Sequence, residues 1–299
     1  RWYQANASNR ALIESAESLL ESTLRNWTLQ QHQAAQKTKA KSSQLLAAEG
    51  YALYLGYFKK SQQLGDMHFY YGEVLYDLGR FDESSLQYRW VLENAPQSRF
   101  ASKAAENVVF ALEKTLPKDD EIARRVGKSL DPVSFPKEAQ NFISTALWFS
   151  TKFPQHPKNL EILFRLGRLH YQHNQFESAI PYFQQVIQRD PKSKPAEFSA
   201  NLLLDIYNLK KDYAGLEKVG MELLQIPVFR GTKAANEIQD ILSKARFKGL
   251  QSQEGQLDAA VLAEQYEDFG RKNLQSPVGK LALLTLQFPL KKAVVQSEP

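Results

Sequence analysis

Apolar residues recur every three or four positions along most of this chain, which is the spacing of one face of an α-helix. Residues 8–36 show the pattern first, with Leu12, Leu19 and Leu24 on one side of a long predicted helix. Residues 42–63 form a second predicted helix with the same spacing. No stretch shows the strict alternation of apolar and polar residues that a half-buried strand needs. The pattern therefore predicts an all-α fold.

Two segments, centred on Gly72 and Gly167, carry marker residues at the same offsets, and six of the spaced positions match in residue class. The matching positions are His68, Tyr71, Gly72, Leu75, Phe81, Ser84, Tyr88, Val91 and Pro96 in the first segment, and Leu163, Leu166, Gly167, His170, Phe176, Ala179, Phe183, Val186 and Pro191 in the second. Agreement at this many spaced positions indicates an internal repeat, each copy a pair of helices joined by a tight turn.

Each shared position has a predicted physical role. The glycine has no Cβ, so the second helix of the pair can pack closely against the first. The small residues Ser84 and Ala179 are expected where the two helices cross. The large residues Tyr88 and Phe183 are expected to fill the space toward the next pair. The closing prolines end the second helix.

An aromatic residue followed eight positions later by proline marks further second helices, at Tyr88/Pro96, Phe149/Pro157, Phe183/Pro191 and Phe269/Pro277. Pro157 and Pro191 are 34 residues apart. Residues 138–153 are therefore predicted to be the second helix of a pair that stacks beside the pair in 160–191. The following pair, 196–227, is degenerate, because Leu204 replaces the glycine and Leu216 the small crossing residue.

This pattern resembles the tetratricopeptide repeat. The resemblance implies a right-handed superhelical solenoid of antiparallel helix pairs, whose first helices line a concave groove that binds other proteins. At the family's offsets from the glycine, the implied partner-binding residues are Phe69, Tyr70, Glu73, Tyr76, Asp77, Phe164, Arg165, Arg168, Tyr171 and Gln172. The alternative that Phe69, Tyr71 and Phe164 belong to the core between repeats stays open.

The family's chaperone cofactors grip a terminal carboxylate with Lys and Asn side chains. Lys103 and Asn107 would fit part of that clamp, but the intervening Asn is missing. We therefore do not expect a carboxylate clamp here.

Four regions follow from the spacing of the repeats. They are an N-terminal helical sub-array in 1–116, an insertion or hinge in 117–136, a central repeat sub-array in 137–227 and diverged helices in 228–299. The insertion breaks the period and holds a short predicted helix at 121–128. The last region is predicted to form helices at 232–247, 256–274 and 278–294, with Pro289 kinking or ending the last one.

Composition narrows the function. The net charge is +5, and the basic residues are interrupted by acidic ones rather than clustered, so we expect no nucleic-acid binding. The chain has no cysteine, which excludes disulfides and thiolate sites and suits the cytosol or an oxidising compartment equally. No apolar run reaches the roughly 20 residues of a membrane span. The chain opens at Arg1 rather than Met, which leaves room for a signal peptide or lipid anchor ahead of it.

Candidate catalytic chemistry is sparse. The sequence has no glycine-rich phosphate loop and no nucleophile elbow, so we expect no cofactor and no enzyme activity. His170 and His173 share a helix face, but they fall at a packing position and a turn of the repeat, so a structural role is favoured over a metal site. The carboxylates of Asp119, Asp120 and Glu264 are expected on solvated faces.

A narrower resemblance rests on residues 139–157, 160–191 and 259–277, whose repeats end in Phe-Pro, Asp-Pro or Ser-Pro. Bacterial envelope proteins are similar, including periplasmic repeat proteins of delta-proteobacterial gliding machinery and outer-membrane assembly lipoproteins. That resemblance implies a non-catalytic periplasmic or outer-membrane-associated scaffold that binds a peptide or helix. The alternatives are a cytoplasmic adaptor or co-chaperone, and the substrate-presenting region of a larger enzyme.

Overall fold

The computed structural model describes residues 2–230 and 233–286, and every regular element within those ranges is a helix. The α-helices are α1 (Trp2–Ala5), α2 (Arg10–Thr38), α3 (Lys41–Tyr57), α4 (Leu64–Asp77), α5 (Phe81–Asn94), α6 (Ala101–Glu113), α7 (Asp119–Val126), α8 (Lys137–Lys152), α9 (Asn159–Gln172), α10 (Phe176–Arg189), α11 (Lys194–Leu209), α12 (Tyr213–Gln225), α13 (Lys233–Ser252), α14 (Ala259–Lys272) and α15 (Pro277–Thr285). The prediction of an all-α fold is confirmed.

Helices that follow one another in the chain pack against one another. The closest pairings include α2 with α3, α4 with α5, α12 with α13, and α14 with α15. The turns within the first two of these pairs are short, so their partners run antiparallel. Consecutive antiparallel pairs are the architecture of a tetratricopeptide-type solenoid, and this fold class is confirmed.

The chain divides into two compact units. Unit 1 comprises Arg1–Arg125 and Ser134–Ile162, and unit 2 comprises Val126–Val133 and Leu163–Pro299. The four regions inferred from repeat spacing stay a prediction, because these units group residues by packing alone.

In unit 1, the repeat of α4 and α5 is built around a contact between Gly72 and Tyr88. A Cβ placed on Gly72 would lie 2.7 Å from Cε1 of Tyr88, a separation that real Cβ atoms do not adopt. The hydroxyl of Ser84 donates a hydrogen bond of 2.7 Å to the carbonyl of Gly72, in a fully buried position. The predicted helix crossing at Gly72 and Ser84 is therefore present, and Tyr88 packs onto the glycine of its own pair.

In unit 2, the repeat of α9 and α10 makes the same contact. A Cβ on Gly167 would lie 2.8 Å from Cε1 of Phe183, and both Phe183 and Ala179 are fully buried. The third pair, α11 and α12, lacks the glycine, and its substitutes Leu204 and Leu216 are buried in its core. The degenerate pair thus keeps the arrangement of its helices with larger side chains.

The turns within these pairs share one backbone geometry. Gly79, Asn174 and Lys211 have φ values of +75°, +55° and +56°, in the left-handed region. In each turn, the following N–H donates to the carbonyl five residues back, as Arg80 does to Leu75 at 2.9 Å. This closure ends the first helix and reverses the chain toward the second. Glycine suits the position best, and asparagine is the next most tolerant residue.

The insertion interrupts a helix pair rather than separating two pairs. Helix α6 packs against α8, and the insertion with its short helix α7 lies between them in the chain. Its residues Val126–Val133 belong to unit 2, where the side-chain amide of Asn174 donates to the carbonyl of Ser129 at 2.8 Å. The N–H of Val133 donates to the carbonyl of His173 at 2.9 Å. The turn between α9 and α10 therefore anchors this part of the insertion.

The C-terminal helices follow the predicted pattern with shifted ends. Helices α13 and α14 correspond to the predicted helices at 232–247 and 256–274. Helix α15 corresponds to the start of the one predicted at 278–294, and Pro289 lies outside the described residues.

Across residues 2–230 and 233–286, no helix combines the length and the apolar composition that crossing a membrane requires.

Candidate functional site

A groove of about 510 Å³ in unit 1 is lined mainly by the first helices of three successive pairs. Helix α2 contributes His32 and Gln36, and the C-cap residue Lys39 follows them. These residues were not predicted as site residues, because the N-terminal helices do not carry the repeat's glycine. The signal that could have found them is the long amphipathic face that precedes the first clear repeat.

Helix α4 brings three of the predicted site residues into this groove. Glu73 and Tyr76 are half-buried there, and Asp77 is exposed at its edge. Because these residues lie three and four positions apart, they share one face of α4. The tetratricopeptide offsets therefore identified the face of α4 that lines the groove.

Helix α6 closes the far side of the groove with Lys103, Asn107 and Phe110, and Tyr88 of α5 lines it as well. Lys103 and Asn107 are the two side chains that had suggested part of a carboxylate clamp. Lys103 pairs with Glu106 at 3.3 Å.

The two other predicted residues of α4 lie elsewhere. Tyr70 lines a neighbouring recess of about 330 Å³, beside Arg99 and Asp66, which form an ion pair at 2.6 Å. Phe69 is only 3% exposed, and its ring stacks on that of Phe100 at a centroid distance of 4.3 Å. The core alternative for Phe69 is therefore correct, because Phe100, just before α6, covers its ring.

The carboxylates of Glu73 and Asp77 stand out in this groove because they have no direct ionic partner among the described residues. Within residues 2–230 and 233–286, the side chains of Glu73 and Asp77 form no ion pair and no hydrogen bond. Burial raises the pKa of Glu73 above its ordinary value, the charge of Asp77 raises it further, and Lys103 offsets part of the shift. The groove thus holds two carboxylates one helical turn apart whose charges no cation neutralises by direct contact.

The wall behind the groove is held by a buried polar pair. Nδ1 of His32 lies 2.8 Å from the hydroxyl of Tyr51, and both side chains are buried. Burial lowers the pKa of His32, and the charge of Asp77 opposes that shift. His32 therefore has a packing role with one edge toward the groove.

Unit 2 has a larger groove, of about 610 Å³, formed by α11 and α13. Leu204, Ile241 and Phe247 give it an apolar floor, and Asn201, Asp205 and Lys248 are among its polar side chains. Sequence reasoning missed these residues, because the pair of α11 and α12 lacks the marker glycine. The offset that aligns Leu204 with Gly167 would have found three residues of this groove, since it carries Phe164, Arg168 and Tyr171 to Asn201, Asp205 and Asn208.

The predicted residues of α9 lie beside α10 and α11 in unit 2. The hydroxyl of Tyr171 donates a short hydrogen bond to the carboxylate of Asp205, and burial with that bond raises the pKa of Tyr171. Phe164 is half-buried, with its ring between those of Phe183 and Phe198 at 6.3 and 6.2 Å. Phe164 therefore serves partly as core, as its alternative interpretation held.

The polar residues of α9 keep some surface. Arg165 and Gln172 are half-buried and Arg168 is exposed. The structure does not place these three among the residues lining the groove of α11 and α13.

The two histidines of α9 have packing partners. The ring of His170 stacks on Tyr182 at 5.6 Å, and Nδ1 of His173 donates to the carbonyl of Leu169 at 2.9 Å. His173 is fully buried. Burial also lowers the pKa of His170.

Comparison with known proteins bears on the repeat. Residues 160–193, which contain α9 and α10, match the tetratricopeptide repeat family. No curated protein matches the chain. The match covers one helix pair, and the pair of α4 and α5 shares its glycine–aromatic contact.

Proposed function

We propose that this protein is a non-catalytic interaction scaffold that holds a segment of a partner protein in a groove lined by the first helices of its repeats. The observation that carries the proposal is the groove of unit 1. Its aromatic side chains Tyr76 and Phe110 are rigid apolar anchors, and Glu73 and Asp77 beside them are free to orient a partner. Such combinations dominate the binding energy of many protein interfaces.

The groove of unit 2 supports the same function with different chemistry. Its floor is apolar and its rim carries amide and charged side chains. An apolar centre with a polar rim is the usual composition of a surface that receives another protein. The proposed scaffold therefore has one groove in each unit.

Replacing Tyr76, which lines the groove of unit 1, and Tyr171, which donates a hydrogen bond to Asp205 in the groove of unit 2, tests this function. Tyr76→Ala combined with Tyr171→Ala should reduce capture of partner proteins from an extract of the source cells by about tenfold or more, because the first change removes an aromatic anchor and the second releases a groove carboxylate from its partner. Helical circular dichroism should stay unchanged. Quantitative mass spectrometry of the captured proteins gives the measurement.

Tyr57→Ala is the matched control, because Tyr57 on α3 is 77% exposed and lines neither groove. If the double variant captured every partner as well as the Tyr57 control did, binding would have to occur on another face. Turnover of a substrate by this chain alone would contradict the non-catalytic part of the proposal.

We further propose that the scaffold belongs to a bacterial cell-envelope complex of the motility or outer-membrane assembly type, with the protein in the periplasm or at the outer membrane. The support is the resemblance of residues 139–157, 160–191 and 259–277 to envelope proteins. Protease treatment of intact spheroplasts tests the location. Digestion is expected, and complete protection until the inner membrane is lysed would place the protein in the cytoplasm instead.

A further inference from the structure

The first helices of the two matching repeats carry opposite charges on the same face. Where α4 has Glu73, α9 has Arg168, and where α4 has Asp77, α9 has Gln172. The glycine and its aromatic partner are retained in both repeats, so this charge difference arises on a face outside the glycine–aromatic contact. The two repeats therefore share a scaffold and present different recognition surfaces.

Among the residues that the structure describes, no cation forms an ion pair with the acidic face of α4. Lys103, the cation that acts on Glu73, is held by Glu106 at 3.3 Å and forms no ion pair with Glu73. Like charges at positions i and i+4 of a helix are mildly destabilising. A cation supplied from outside would remove both this repulsion and the unfavourable burial of the Glu73 charge.

The surroundings of the pair favour a side chain with an apolar stem. Tyr76, Tyr88 and Phe110 line the same groove, and Asn107 adds an amide. An arginine or lysine presents a charged head on a stem of methylene groups, and the stem can lie along aromatic rings. A groove of about 510 Å³ also has room for neighbouring residues of a peptide.

We propose that the groove of unit 1 binds a protein segment that places an arginine or lysine head group at Glu73 and Asp77 and an adjacent apolar side chain against Tyr76 and Phe110. This inference rests on the proposed scaffold function and names the chemistry of the partner. The whole chain has a net charge of +5, so it repels basic segments at long range. If the groove nevertheless binds a basic segment, the attraction must come from the nearby carboxylates of Glu73 and Asp77.

A phage-displayed library of random 12-residue peptides provides the probe. Selection on the wild-type protein at about 0.15 M salt, where surface charges more than about 8 Å apart are screened, should enrich peptides with one basic residue next to an apolar one. The same selection on a Glu73→Gln/Asp77→Asn variant should lose that enrichment. Synthetic copies of the enriched peptides should bind the variant about tenfold or more weakly, the size expected for a lost charge-assisted contact.

The matched control is Glu49→Gln/Glu264→Gln, which removes two exposed carboxylates that line neither groove. This control should retain the enrichment and the affinity. Suppose that the selected peptides depend on Tyr76 for binding but show no enrichment of basic residues. That result would overturn this inference and would leave the proposed scaffold function intact. A basic preference that survives Glu73→Gln/Asp77→Asn would overturn it as well. If no selected peptide depends on Tyr76, both the inference and the groove's role in binding are wrong.

Discussion

The repeat of α4 and α5 and the repeat of α9 and α10 keep the same glycine–aromatic contact and carry different charges on their surfaces. Gly72 meets Tyr88 in the first, and Gly167 meets Phe183 in the second, at nearly the same separation. The outward face of α4 carries carboxylates, whereas that of α9 carries arginines. Helix pairing constrains the interior because a Cβ there would overlap a ring, while the groove face is free to vary with its partner.

A second difference lies in the interior itself. The first repeat places His68 where the second places Leu163, which is 4% exposed. The ring of His68 stacks on Trp90 at 3.7 Å, and its Nδ1 lies 2.7 Å from Oε1 of Gln87. The first repeat therefore contains a titratable group where the second is purely apolar.

The largest effect is expected from overfilling the shared glycine contact. Gly72→Trp and Gly167→Trp should each lower the free energy of unfolding by about 3 kcal/mol or more, because the new side chain must displace Tyr88 or Phe183. The melting temperature should fall by several degrees, measured by circular dichroism. The two variants should behave alike, since the clearances at the two sites match.

Gly56 provides the control for this substitution, because a Cβ there would have no atom within 4 Å. Gly56→Trp should change the melting temperature little. An unchanged melting temperature for Gly72→Trp or Gly167→Trp would show that the repeat register is wrong.

A smaller effect should appear when the pH is lowered, because the first repeat has a histidine where the second has a leucine. Burial lowers the pKa of His68 from 6.5 to about 4. Between these values the unfolded chain binds the proton and the folded protein does not, so the free energy of unfolding falls as the pH drops through this range. We expect a loss of about 2 kcal/mol between pH 7 and pH 4, after allowance for partial exposure of the ring.

The control variant is His68→Leu, because leucine occupies the matching position, 163, in the second repeat. His68→Leu should remove this part of the acid sensitivity, as measured by denaturant unfolding at pH 7 and pH 4.5. Equal acid sensitivity in the wild type and His68→Leu would mean that His68 does not titrate differently on unfolding.

The smallest effect concerns the hydrogen bond that only the first repeat has. Ser84→Ala should cost about 1 kcal/mol, because it removes the buried bond to the Gly72 carbonyl. Ala179 already stands at the matching position of the second repeat, so that repeat shows that the crossing tolerates alanine sterically. A cost above about 3 kcal/mol would indicate that Ser84 also supports packing.

The sequence predicted the α4 side of the groove of unit 1. The residues that it misjudged have one physical cause in common, which is coverage by a neighbouring helix pair. The offsets from Gly72 placed Glu73, Tyr76 and Asp77 on the correct face of α4. The same offsets selected Phe69, which Phe100 covers. A helical offset gives the direction of a side chain, but its exposure depends on which residues of the next pair lie over it.

The chain by itself determined the features that local geometry controls. These are the helices, the helix crossing at each marker glycine, the turns that need a left-handed residue, and the ends of two second helices just before Pro96 and Pro191. Each depends on steric limits within about 34 residues of chain, which recur wherever the motif recurs. The sequence therefore predicted the fold class and the period of its repeats.

Only the tertiary structure decided which helices meet. It paired α6 with α8 across the insertion, and it brought α2 to the groove beside α4 and α6. In the part of the chain that the structure describes, it also left Glu73 and Asp77 without an ion pair, while Lys103 pairs with Glu106. These outcomes depend on contacts between residues far apart in the chain, and such contacts are fixed by the packing of whole helices rather than by any local pattern.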